Sequence, residues 1–152
     1  METMIHWLLL VLVHLALAVT GAGERPTKEN KFVKVEVLLA NAFVHPGGKG
    51  TILMSFTPID GIHINTDPSI TVKLEKNRLI SLQGEPDFDT DKESGFLSTS
   101  TPVEQQFRVS QKAKSGEHTI KGTIVYYFCS DTEGWCRKLS QPVTLMLNIQ
   151  KK

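Results

Sequence analysis

The feature that most constrains this chain is a two-residue hydrophobic alternation that returns in short runs. In "FVKVEVLL", Val33, Val35, Val37 and Leu39 fall on one side, Lys34 and Glu36 on the other. "TILMSFT" repeats it through Ile52, Met54 and Phe56, and "SITVKLE" through Ile70, Val72 and Leu74. In "TIKGTIVYYF", Ile120, Ile124, Tyr126 and Phe128 share one face; Thr123, Val125, Tyr127 and the following Cys129 share the other. "PVTLMLNI" closes the series through Val143, Leu145, Leu147 and Ile149, with "DGIHIN" and "VEQQFRV" as shorter instances. Successive side chains of a strand point to opposite faces, so each run has one face for a core. Gly- and Pro-bearing breaks such as "HPGGKG" separate them. Apart from the leader, no segment carries a helical stripe. Seven or eight short strands joined this way predict an all-β, antiparallel sandwich of immunoglobulin-like type. From Lys76 to Thr101 the alternation fades. "GEPDFDTDKESGFLSTSTP" has only Phe88, Phe96 and Leu97 to bury, and it is read as a long loop with at most a short edge strand.

The first residues belong to something else. "WLLLVLVHLALAV", Trp7 to Val19, is an apolar run thirteen residues long followed by "TGAG". A spanning helix needs about 20 apolar residues, so the run fits the core of a signal peptide. Thr20 and Ala22 give a small-x-small cleavage pattern, which places the cut after Ala22 and one domain over residues 23–152. Against this, "METMIH" lacks Lys and Arg, and an uncleaved anchor is the competing reading. Removing Glu2 with the leader leaves 17 basic and 15 acidic residues, a net charge of +2. No Lys/Arg cluster is interleaved with aromatics, which argues against nucleic acid as a partner.

"TIVYYFCSDTEGWCRK" holds the only two cysteines, Cys129 and Cys136, with "SDTEGW" between them. Strand, turn, strand brings the sulfurs to the mouth of one hairpin-like connection, where a bridge is easy to form. Closing about eight residues is worth roughly 2.5 kcal/mol in chain entropy, near the low end for a disulfide. Exported domains nevertheless use most cysteine pairs structurally. Both a permanent clip and an exchanging pair are therefore open on the residues alone. Two thiols are too few for a closed zinc site unless His63 or His118 joined them, so no metal or other cofactor is expected. Arg137 and Lys138 after Cys136 favour a thiolate there, while Asp131 and Glu133 disfavour one at Cys129.

"GEHTIKGTIVYYFCSDTEGWC", a polar break and a final apolar strand together resemble the N-terminal periplasmic domain of the thiol:disulfide interchange protein DsbD. "DGIHIN" resembles that family's Asp-Gly strand. The resemblance implies an immunoglobulin-like fold and a Cys129/Cys136 pair shuttling between disulfide and dithiol, with Cys136 forming the mixed disulfide. It implies thioredoxin-fold redox partners, a membrane thiol transporter as electron source, and a periplasmic address, secretion being the alternative. Residues flanking the sulfurs would be His63 and Asn65, where the family has tyrosines, with Phe88 of the acidic stretch Asp87–Asp89 as a cap. The chain departs from the family in one extra residue between the cysteines and in "RKLS" where the family has an aromatic and two prolines. From the residues themselves, Tyr127 shares a face with Cys129, and Trp135 either covers Cys136 or packs back on the sheet. The other reading is a non-enzymatic exported accessory domain in which Cys129–Cys136 is a permanent bridge.

Overall fold

The computed structural model describes residues 30–151; the leader and the cut after Ala22 lie outside them. Eight strands follow in order: β1 Val33–Leu39, β2 Lys49–Pro58, β3 Ile62–Ile64, β4 Thr71–Leu74, β5 Ile80–Asp87, β6 Val103–Val109, β7 Gly116–Ser130 and β8 Trp135–Ile149. They form two antiparallel sheets. One has the order β1-β2-β6-β5. In the other, β7 pairs with β8 along its whole length, while β3 and β4 pair in tandem with its upper and lower parts. Counting β3 and β4 as halves of one strand gives the orders A-B-E-D and G-F-C of a constant-type immunoglobulin domain. The protein is an immunoglobulin-like β-sandwich.

The alternating runs supply its core. Met54, Phe56, Val103, Phe107, Ile124, Tyr126, Leu147 and Ile149 are buried between the sheets. Phe56 and Tyr126 meet edge to face across the gap, with ring centroids 5.2 Å apart. The Tyr126 hydroxyl is not stranded: it accepts from Asn30 Nδ2 at 3.1 Å and donates to Gln141 Oε1 at 3.4 Å. Burial pushes this phenol above its ordinary pKa, against a smaller downward pull from Asn30. Gln105 is the other buried polar side chain of note. Its amide nitrogen donates to the carbonyls of Gln83, Gly84 and Gln106, satisfying backbone where the β5–β6 register shifts between Gln83 and Asp87.

Two stretches differ from the sequence reading. Residues 80–87 form a full eight-residue edge strand, where the sequence reading allowed at most a short one. β5 lies at a sheet edge, where Pro86 removes no needed donor and Gly84, at φ +68°, takes up the bulge. The polar break after Cys136 is also strand, because β8 starts at Trp135. Its upper half is paired to β7 through Lys138↔Tyr127 and Ser140↔Val125, so its polar residues sit on an edge strand rather than in a turn.

Gly50 faces Phe107 across the β2–β6 pair. A Cβ on Gly50 would lie 2.3 Å from the Phe107 ring, itself 1% exposed. Gly50→Ala is therefore expected to destabilise the fold by about 1–3 kcal/mol through overpacking. Urea unfolding with an unchanged m-value checks it.

Candidate functional site: a disulfide row on the outer face

The site is built at the tip of the β7–β8 hairpin. Gly134 N–H donates to the Ser130 carbonyl at 3.0 Å, and Gly134 takes a φ of +67°, which closes the tight tip over residues 131–134. The tip is anchored sideways by Asp131 N–H to the Gly61 carbonyl at 3.1 Å. This register sets Cys129 directly opposite Cys136. Their Cα atoms are 4.0 Å apart and the sulfurs are bonded; antiparallel partners stand this close in non-hydrogen-bonded pairs. The bridge adds to pairing that the strands already make.

Cross-strand neighbours point to the same face, so register places the other groups. His63 pairs with Cys129 from the far side, giving a row His63–Cys129–Cys136 across three strands. This is the outer face of the sheet, opposite Ile124, Tyr126 and Phe128 in the core. One step down lies Asn65, whose N–H donates to the Tyr127 carbonyl at 2.9 Å, followed by Tyr127 and Lys138. The Lys138 ammonium is 5.8 Å from the Tyr127 ring centroid. The two sulfurs differ sharply in exposure: Cys129 is 5% exposed, whereas Cys136 is open to solvent. Asn65 Oδ1 lies 3.2 Å from Cys129 Sγ. In the disulfide that sulfur carries no hydrogen. In the dithiol its S–H has an acceptor waiting.

His63 is 16% exposed, and its Nδ1 is 2.7 Å from Asp131 Oδ1 on the hairpin tip. That contact lacks hydrogen-bond geometry, and among the described residues the buried Nδ1 has no hydrogen-bond partner. The imidazole lies flat on Phe96, centroids 3.5 Å apart and planes 12° off parallel. Phe96 is carried by the loop between β5 and β6, which is tied to β3 by Leu97 N–H to the Ile64 carbonyl at 2.9 Å and Thr66 Oγ1–H to the Gly95 carbonyl at 3.0 Å.

Asp91 organises the turn before Phe96. The Ser94 N–H, the Ser94 hydroxyl and the Glu93 N–H all donate to its Oδ1 and hold its carboxyl below the ordinary carboxylate range. A depressed carboxyl stabilises the fold above its unfolded pKa and loses that contribution as pH falls through the folded one. The Phe96 ring is accordingly expected to loosen from His63 only below the carboxylate range. An NMR pH titration of the Phe96 ring protons checks this, with Asp91→Ala, which removes the acceptor of all three bonds, showing the loosened position at all pH values.

The residues singled out from the sequence separate cleanly. His63, Asn65 and Tyr127 share the outer face with the cysteines. Trp135 does not: it alternates to the other face and packs against Phe32 and Phe128 at 5.2 and 5.9 Å. Phe88 packs against the core, and the aromatic that reaches this row is Phe96. Arg137 also points away from the sulfurs, its guanidinium 4.3 Å over Trp135, which leaves Lys138 as the cation on the sulfur face. His118 bonds the Lys114 carbonyl far down β7, eleven residues or about 35 Å from Cys129. Among the described residues no three His, Cys, Asp or Glu cluster as metal ligands would. Two members were missed: Phe96, hidden in a weakly patterned loop, and Asp131, read only as a charge near Cys129.

The class so defined is an immunoglobulin-like sandwich whose disulfide joins its last two strands at an outer rim. No family model and no curated protein matches the chain. Solved structures of similar architecture include the seventh ScaB type I cohesin of Pseudobacteroides cellulosolvens, 12% identical with a TM-score of 0.47, covering 78% of this chain and 93% of that one. A type I cohesin–dockerin complex of Clostridium thermocellum gives 14% identity, a TM-score of 0.44 and coverage of 77% and 99%. The GAE domain of yeast GGA1 gives 12%, 0.44, 78% and 96%.

Proposed function

We propose that the protein is an exported thiol–disulfide exchange domain that carries reducing equivalents through Cys129 and Cys136. The observation that carries this reading is the asymmetry of the bridge: one sulfur open to solvent, the other sunk among polar side chains. A permanent clip gains nothing from such an arrangement. An exchanging pair needs one sulfur within reach of an outside thiolate.

The cycle follows from the placement. A partner thiolate attacks Cys136 Sγ, the exposed sulfur. The new S–S bond forms there as the Cys129–Cys136 bond breaks, and Cys129 leaves with the electron pair. Cys129 takes a proton, and Asn65 Oδ1 accepts its S–H. The partner's second thiolate then attacks its own sulfur in the mixed disulfide and releases Cys136 as a thiolate; two electrons have moved from partner to protein, and the protons that the partner thiols gave to solvent are matched by those the two cysteines take up from it. The reverse sequence unloads them. Phe96, stacked on His63, takes the capping role that the family resemblance assigns to Phe88. Thioredoxin-fold proteins and a membrane thiol transporter are the partners that the family resemblance supports, in the periplasm to which the leader and the resemblance point.

Equilibration of the full chain against glutathione or dithiothreitol buffers tests the proposal. The midpoint is expected above about −300 mV, where exchanging disulfides lie. A midpoint well below that value would make Cys129–Cys136 a permanent bridge and the protein a non-enzymatic accessory domain.

A further inference from the structure

On the other face of the hairpin tip, β8 and the segment before β1 enclose a cleft of about 330 Å³. Lys31, Phe32, Phe128, Arg137 and Leu139 line it, with Lys138 at its rim. The Arg137 guanidinium lies 4.3 Å over the Trp135 ring and 5.4 Å from the Phe32 centroid; the Lys31 ammonium is 5.0 Å from the same Phe32 centroid. A guanidinium held on aromatic rings keeps its in-plane donors free for a carboxylate. Nothing described uses them: no carboxylate stands within ion-pair distance of Arg137, Lys31 or Lys138. Glu133, the nearest in sequence, accepts from Trp135 Nε1 instead. Three cations with no carboxylate partner among the described residues stand out around an apolar floor in a chain of net charge +1.

We infer that this cleft docks an acidic peptide segment of a partner protein. The cations select carboxylates, and the rings anchor an apolar residue beside them, the Arg–aromatic combination typical of binding hot spots. An extended peptide fits better than a nucleic acid on two counts. Arg137 lies over the Trp135 ring, and the rings meet one another edge to face, which leaves room for a small apolar side chain beside them rather than for a stacked base. β8 is also the outermost strand of its sheet, so its edge can offer main-chain donors and acceptors to a strand laid along it. Alternation puts Arg137 in the cleft and Lys138 on the face of Cys136, so a segment reaching from one to the other passes the exposed sulfur. The inference stands apart from the exchange reading, because docking needs no sulfur chemistry.

Trp7 and Trp135 are the only tryptophans, so in full-length Trp7→Phe protein the fluorescence reports on the cleft. Titration with an acetylated Glu-Asp-Leu-Glu-Asp amide is expected to give a saturable Trp135 change that weakens with salt. Arg137→Gln should weaken it roughly tenfold, the loss of one charge-assisted pair, and Lys31→Gln severalfold. Lys73→Gln, on remote β4, should leave it unchanged, as should the double variant Cys129→Ser/Cys136→Ser, whose binding separates this docking from any failure of exchange. Four outcomes overturn the proposal: no saturable change; equal binding of a Lys-for-acid peptide; response only to phosphatidylglycerol vesicles or inorganic phosphate; or a Trp135 shift on Glu24→Gln/Glu29→Gln without peptide response, which would give the cleft to the chain's own lead-in.

Discussion

In Cys129→Ala protein, Cys136 is expected to accumulate a stable mixed disulfide with a thioredoxin-fold partner or with oxidised glutathione, visible by non-reducing electrophoresis and mass spectrometry. In Cys136→Ala protein the remaining thiol should react roughly 10- to 100-fold more slowly. Both follow from access and thiolate character. Cys129 is 5% exposed with Asn65 Oδ1 at 3.2 Å from its sulfur, an acceptor that keeps a proton on it. Cys136 faces solvent with Lys138 on its side of the sheet. Equal reactivity of the two single-cysteine proteins would remove the division of labour on which the exchange cycle rests. Asn65→Ala offers an internal check, since it should raise the reactivity of Cys129 alone.

Replacing Tyr126 by Ala is expected to cost about 3–5 kcal/mol of stability, the range for deleting a large buried aromatic. Tyr126 is 0% exposed and bridges the sheets through Phe56. Tyr126→Phe removes only the hydroxyl and its bonds to Asn30 and Gln141, so it should cost about 1 kcal/mol. Chemical denaturation of both variants separates packing from hydrogen bonding. The double variant Cys129→Ser/Cys136→Ser should lose at most about 2.5 kcal/mol, less than Tyr126→Ala. A larger loss for the cysteines would mean that the bridge, not the core, holds the sandwich together.

Most of the architecture could be read from alternation, because β1, β2, β4 and β6 turn apolar residues to one face and mostly polar ones to the other, as does the lower half of β7. β5 escaped for a physical reason. An edge strand with a bulge at Gly84 and a proline at position 86 loses its period just where pairing continues. The upper half of β8 escaped because Arg137, Lys138 and Ser140 read as solvent-bound, and only pairing to β7 shows them to be strand. At the site, period two was enough to put Tyr127 beside Cys129. It could not place His63, which depends on which strand lies next to β7. Nor could it choose between Phe88 and Phe96, eight residues apart in one loop, since that rests on the hydrogen bond from Leu97 to Ile64. Trp135 and Arg137 were assigned by closeness in sequence, which in a strand is a poor guide to closeness in space.

β7 and β8 remain in register for fifteen residues, and the sulfur–sulfur bond is only one rung near the top of that ladder. Cutting the rung leaves the rails in place. In the exchange cycle proposed above, the freed sulfurs would stay poised to rejoin, so a partner caught halfway through a handover would meet a competitor that never drifts off. If the proposed exchange holds, a courier built this way would be hard to jam: it would give up its passenger quickly and need no refolding between trips.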